Sequence, residues 1–136
     1  MIDIDGSYLE GGGAILRVAT ALSAIKQIPI KVTNIRKGRP KPGLKAQQLT
    51  GILAAAQLCD AKVTGAKIGS TELTFEPKKI RFGKFKFDVG TAGAITLVLQ
   101  TIIPIAAFAP SKTTFVISGG TNVLWAPTIE YFQNVF

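Results

Sequence analysis

No histidine occurs among the 136 residues, so this segment alone cannot supply an imidazole base, a histidine metal ligand or a Ser-His-Asp triad. Cysteine is nearly absent as well. The one thiol, Cys59, has no intrachain partner and follows Ala55-Ala56-Gln57-Leu58 in an apolar helical pattern, which predicts a buried, inert group and no disulfide framework. Long apolar runs are missing too. The most apolar stretch, Ala94 to Ala109, is interrupted by Thr96, Gln100, Thr101 and Pro104, so it reads as a buried helix bent at Pro104 rather than a membrane span. The opening residues Met1 to Asp5 carry acid where a secretory leader would carry base, and an intracellular, cytoplasmic protein is expected. Negative charge is scarce: 8 acidic residues face 16 Lys and Arg, giving +8, which favours a nucleic acid, a nucleotide or an anionic surface as partner.

What is present is the apolar content of one globular domain, 47% hydrophobic. Ile2 to Asp5 predicts a strand, and Gly11 to Ala14 opens a helix with Ile15, Leu16, Ala19, Leu22 and Ile25 at helical spacing. Gln27 to Pro29 ends it. A second strand from Ile30 extends to Ile35, whose break in alternation implies burial on both faces. The basic loop Arg36 to Gly43 leads to a helix over Leu44 to Leu58, then to strands at Lys62 to Thr64 and Glu72 to Phe75 around the Gly69-Ser70 turn. Residues 1–76 thus form one βαβαββ unit.

A second unit over residues 77–136 begins with a predicted strand hairpin in Ile80 to Phe87. Its Asp88-Val89-Gly90-Thr91-Ala92-Gly93-Ala94-Ile95 echoes the passage from Asp5-Gly6-Ser7 to Gly12-Gly13-Ala14-Ile15. A helix follows, then a strand over Thr113 to Ser118, a turn at Gly119-Gly120, and a helix starting near Pro127 with proline in its first turn. The two strands that close the first unit have no counterpart, so the chain is expected to be a truncated piece of a longer protein. The fold class is α/β of the two-layer α+β kind, with both units in one domain.

Glu10-Gly11-Gly12-Gly13 lies at a strand-to-helix junction, where glycine allows close approach and a helix N-terminus offers unpaired N–H groups to phosphate. Glu10 suits Mg²⁺ or Mn²⁺ beside such a phosphate; a plain glycine turn with its Glu on the helix dipole is the alternative. Arg36, Lys37, Arg39 and Lys41 share one loop stiffened by Pro40 and Pro42, which favours phosphate recognition over a solvated charge run. Lys78, Lys79, Arg81, Lys84 and Lys86 alternate with Phe and Ile and read as an exposed strand face. Asp88 to Gly93 is a second anion site or a tight turn. Gln100 needs partners that either a cofactor or the backbone could supply.

In this order the segments Asp5-Gly6-Ser7, Glu10 to Gly13, Ile15-Leu16-Arg17, Asn34-Ile35-Arg36, Gly38-Arg39, Lys41 to Leu44 and Gln47 resemble the RNA 3'-terminal phosphate cyclase family. Gly69-Ser70, Thr91 to Gly93, Leu97 to Gln100, Gly119 to Thr121 and Ala126-Pro127 extend the resemblance along the whole chain. It implies repeated βαβαββ units and an ATP-dependent ligase that acts on the 3' end of RNA. In that family ATP adenylates an enzyme histidine, AMP passes to the RNA 3'-phosphate, and the neighbouring 2'-hydroxyl displaces AMP to leave a 2',3'-cyclic phosphate. The adenylated histidine is expected in a C-terminal part that this segment lacks, so no catalytic residue is assigned here. By the same resemblance Glu10 holds metal, Gln100, Pro127, Gly11, Gly12 and Gly13 hold ATP, and Arg17, Arg36, Arg39 and Gln47 line the phosphate and RNA side.

Two positions depart from the family pattern: Ala14 stands where glutamine is usual and Gln48 where histidine is usual. Gln48 can still donate a hydrogen bond but carries no titrating charge. A catalytically silent cyclase-like RNA-binding protein of ribosomal RNA maturation is the first alternative. Such relatives tend to lose the Glu-Gly-Gly-Gly segment, which is intact here. A transferase of the same repeat fold, acting on a small phosphorylated metabolite, is the second.

Overall fold

The computed structural model describes residues 1–90 and 93–136; Thr91 and Ala92, and with them part of the Asp88 to Gly93 junction, lie outside it. The first sheet contains β1 (Ile2–Asp5), β2 (Ile30–Thr33), β3 (Lys62–Thr64) and β4 (Leu73–Glu76) in the order β1-β2-β4-β3. β1 and β2 are parallel, joined through helix α1 (Gly13–Lys26), while β4 runs antiparallel to both β2 and β3. Helix α2 (Ala46–Cys59) links β2 to β3, which completes the βαβαββ order. The second sheet pairs β5 (Gly83–Asp88) with β6 (Thr113–Ser118) in parallel through helix α3 (Ile95–Ala106), and a short helix α4 (Ile129–Val135) follows. The fold is mixed α and β, with the helices stacked as a layer on the sheets.

One hydrogen bond is common to the ends of β1 and β5. Asp5 accepts the Ser7 N–H at 2.9 Å where β1 ends, and Asp88 accepts the Gly90 N–H at 2.7 Å where β5 ends. Each carboxylate closes a turn on the residue two places on, as short acidic side chains do.

α1, α2 and α3 pack on one another, and one cluster joins Leu16, Ile52 and Leu58 to Val98, Ile102 and Ile105 and to Val32 and Phe75 of the sheet. The last five of these are fully buried or nearly so, and each such side chain contributes about 1.5–3 kcal/mol relative to exposure. Close approach relies on small residues: a Cβ on Gly51 of α2 would touch Thr101 of α3.

Several expected boundaries move. The buried stripe of α1 is Leu16, Thr20, Ala21, Ser23 and Ala24, while the predicted Leu22 is 52% exposed, because tight helix contact selects the small-residue face. Ile35 is buried but not in the strand: Asn34 and Arg36 both take φ of 53°, so the chain turns away after Thr33 and drops Ile35 into the core. No hairpin forms over Ile80 to Phe87. Residues 77–82 have no strand, and β5 begins at Gly83 beside β6. α3 stops at Ala106 rather than Ala109, with Pro104 in its last turn, where its missing N–H leaves the ladder incomplete. Pro127 lies outside α4; Thr128 is the cap, its hydroxyl accepting the Tyr131 N–H at 3.3 Å. Lys84 and Lys86 are exposed on β5, as expected, while Phe85 and Phe87 turn inward against Phe115.

Candidate functional site

Three helices begin at one place. α1 is capped by Gly12, α2 by Lys45 and α3 by Ala94, and each of these residues lines a single open cleft of about 1030 Å³. None of the three has an acidic residue in its first turn. The positive ends of three helix dipoles therefore collect at one cavity, although the Lys45 N–H is taken by Gln48 and the Ile95 N–H by the Gly120 carbonyl. Side chains add to that field. Arg17, Arg36, Arg39 and Lys45 line the cleft, and Glu10 is the acidic residue among the described lining.

Each cation is held differently. Arg17, from the second turn of α1, is half-buried, and burial pushes its guanidinium below the usual arginine value. Arg36 is 9% exposed; one of its terminal nitrogens donates to the Lys41 carbonyl at 2.8 Å and to the Gly43 carbonyl at 2.9 Å. Burial, and then the charge of Arg39, lowers its pKa. An arginine stays charged through such shifts, so the cost of desolvation is relieved by an incoming anion. Arg39 is exposed and lies 3.6 Å from Glu10, a weak surface pair that a stronger anion can displace.

The loop holding these arginines is fastened at its far end. Gly43 donates to Ile35 at 2.9 Å, Leu44 donates to Ser70 at 3.0 Å, and Gly69 donates to Leu44 at 2.8 Å. Gly43 has φ of 84°, and a Cβ there would collide with the Gly69 carbonyl. The Gly69-Ser70 turn is thus the backstop of the basic loop.

Glutamines complete the floor. Gln48 accepts the Lys45 N–H at 3.1 Å and donates to Gln47 at 3.1 Å, so it orients both the start of α2 and its neighbour. A Cβ on Gly12 would meet Arg39 at 3.1 Å, and one on Gly13 would meet Gln48 at 3.0 Å and Arg17 at 3.2 Å. The glycines let the cations lie against the helix start.

Of the residues expected from the sequence, Glu10, Gly12, Gly13, Arg17, Arg36, Arg39 and Gln47 come together here. Gly11 is buried beneath the turn with φ of 57°, Gln100 is half-buried farther along α3, and Pro127 sits behind Ala126 with its carbonyl accepting from Thr96 at 3.2 Å; none of these three lines the cleft. Sequence reasoning missed Lys45, Leu124 and Trp125. A lysine directly before an apolar helix, and a lone tryptophan between Gly120 and Pro127, were the available signals.

The family model described as RNA 3'-terminal phosphate cyclase matches residues 8–136, nearly the whole chain. The chain belongs to that family. It is 54% identical over 135 residues to the RNA 3'-terminal phosphate cyclase of Methanosarcina acetivorans, covering 99% of this chain and 38% of that protein. The cyclase of Methanococcoides burtonii is 56% identical over the same share of this chain, with 41% of the relative covered. That of Pyrococcus furiosus is 53% identical, with 40% covered. The chain therefore spans about two fifths of the length of these cyclase relatives. No helix among the described residues is long and apolar enough to cross a membrane.

Proposed function

We propose that this chain supplies the phosphate-holding part of an ATP-dependent ligase that converts an RNA 3'-terminal phosphate into a 2',3'-cyclic phosphate. The observation that carries the reading is the convergence of three helix N-termini with Arg17, Arg36, Arg39 and Lys45 on one cleft. Such a site selects a compact, multiply charged anion over a long backbone. The intact Glu10-Gly11-Gly12-Gly13 junction favours the enzyme over a silent RNA-binding relative. Use of ATP goes with a cytoplasmic setting.

In this reading Arg39 and Arg17 hold the RNA terminal phosphate, Gln47 donates to it, and the N–H groups at Gly12 and Gly13 face a second phosphate, that of ATP. Gly11 shapes the turn; Gln100 and Pro127 are assigned to the nucleotide on resemblance. Cyclisation joins the 2'-oxygen to phosphorus as the bond to AMP breaks, and positive groups fixed on the non-bridging oxygens stabilise the charge that builds there. A divalent cation, Mg²⁺ or Mn²⁺, would add Lewis-acid stabilisation of the phosphates. Glu10, the carboxylate of the described cleft lining, is the residue that would hold it, with phosphate oxygens completing the ligand set as is usual for Mg²⁺. No histidine that could carry AMP is among these 136 residues, and in this reading it reaches the cleft from another part of the full-length enzyme.

Arg39→Ala tests the reading. A well-made charge-assisted hydrogen bond contributes about 1.5–3 kcal/mol, so affinity for RNA ending in a 3'-phosphate falls by about ten-fold or more. RNA ending in a 3'-hydroxyl is barely affected. Binding of both RNAs across a salt series decides it: equal weakening, with the salt slope falling by about 0.7 for one lost single-strand phosphate contact, assigns Arg39 to general backbone attraction instead.

A further inference from the structure

The loop between β6 and α4 carries Val123, Leu124, Trp125 and Ala126 into the lining of the same cleft. Trp125, the only tryptophan of the chain, is 98% exposed, and Leu124 is 87% exposed. Trp125 has φ of 65°, a left-handed conformation that bulky L-residues rarely adopt. The loop is nevertheless tied down on both sides. Gly120 donates to Gly93 at 2.9 Å, the Ile129 N–H donates to the Asn122 side chain at 3.1 Å, and the Thr96 hydroxyl donates to the Pro127 carbonyl at 3.2 Å. A strained backbone on an anchored loop thus holds a large aromatic ring in water, at the border of a cavity lined by three arginines and a lysine.

Phosphate makes no use of an indole. A nucleobase does, since every base has a π face that stacks on an aromatic ring, and a basic groove with an aromatic platform is how single-stranded nucleic acid is held. An acidic peptide would satisfy the cations but leave the ring idle. Resting on the phosphate reading above, we propose that Trp125 is the stacking platform for the base at the RNA 3' end, while the arginines hold the phosphate of the same nucleotide. Leu124 covers the edge of that base. The platform is indifferent to base identity, because stacking reads no hydrogen-bond edge.

The single tryptophan makes the test direct. The 136-residue chain is titrated with a 3'-phosphorylated trinucleotide, a 3'-hydroxyl trinucleotide, inorganic phosphate and ATP, following tryptophan emission. Anisotropy of labelled RNA gives affinities for wild type, Trp125→Leu, Trp125→Phe and Arg39→Ala. The expected result is quenching by the 3'-phosphorylated trinucleotide, about ten-fold weaker binding of it by Trp125→Leu, and recovery to within about three-fold in Trp125→Phe. Inorganic phosphate binds all the Trp125 variants alike. Trinucleotide affinity that depends on Arg39 but not on Trp125 overturns the platform and leaves the phosphate site standing. Loss of both dependences overturns the phosphate site and the platform together. Quenching by ATP alone, with the trinucleotide leaving emission unchanged, gives the ring to adenine and rejects the RNA assignment.

Discussion

Arg36 and Arg39 stand three residues apart on one loop, and their surroundings give them different tasks. Arg36 spends one terminal nitrogen on two backbone carbonyls of its own loop, whereas Arg39 reaches an exposed carboxylate that a ligand can replace. Arg36 is as much a strut as a ligand. At Cys59 burial is complete, and the thiol donates to the Ala55 carbonyl at 3.2 Å. Desolvation pushes its pKa up to about 11 from an ordinary 9.0. The folded state thus favours the neutral thiol more than the unfolded chain does, so this contribution is whole below pH 9.0 and is lost as pH rises towards 11. Native protein at pH 8 should leave a thiol reagent unreacted, and denaturant should release one full equivalent. Rapid native reaction would mean that Cys59 is not shut in the core.

At the scale of elements, the basic loop works because both of its ends are fastened. Gly43 has no room for a side chain and takes φ of 84°, whereas a Cβ on Gly38 would meet nothing within 4 Å. Gly43→Ala should therefore cost at least about 2 kcal/mol, combining left-handed strain with the collision at Gly69. Gly38→Ala, a surface change, should stay within about 0.5 kcal/mol. Urea unfolding of the two variants checks this, and equal stabilities would show that the loop is not braced by the Gly69-Ser70 turn. Much at this scale was legible beforehand: β1, β3 and β6 run where the sequence placed them, and α1 and α2 shift by about two residues. The misreadings share a cause. Ile35 and Leu22 were judged by hydrophobicity along the chain, but a left-handed turn moved the first out of its strand, and small-residue helix packing left the second in water.

At the scale of the whole molecule, the cleft depends on α3 packing against α1 and α2, which brings the start of a helix from the second unit beside two from the first. In the proposed reaction phosphate is held here, but these residues offer no imidazole to take AMP. With no histidine in its 136 residues, the chain incubated with labelled ATP and Mg²⁺ should carry no covalent AMP. A labelled band on a denaturing gel, from a lysine for instance, would reverse that expectation.

By itself the sequence determined the glycine-rich helix start, the proline-stiffened basic loop and the resemblance to the family, because turn chemistry and hydrophobic period are local properties written into neighbouring residues. Only the tertiary structure decided that Gly12, Lys45 and Ala94 cap three helices around one cavity, that Arg36 is tied to its own loop, and that Trp125 faces water at the cavity edge. Those facts depend on how closely separate helices approach, and that distance is set by packing among side chains far apart in the chain.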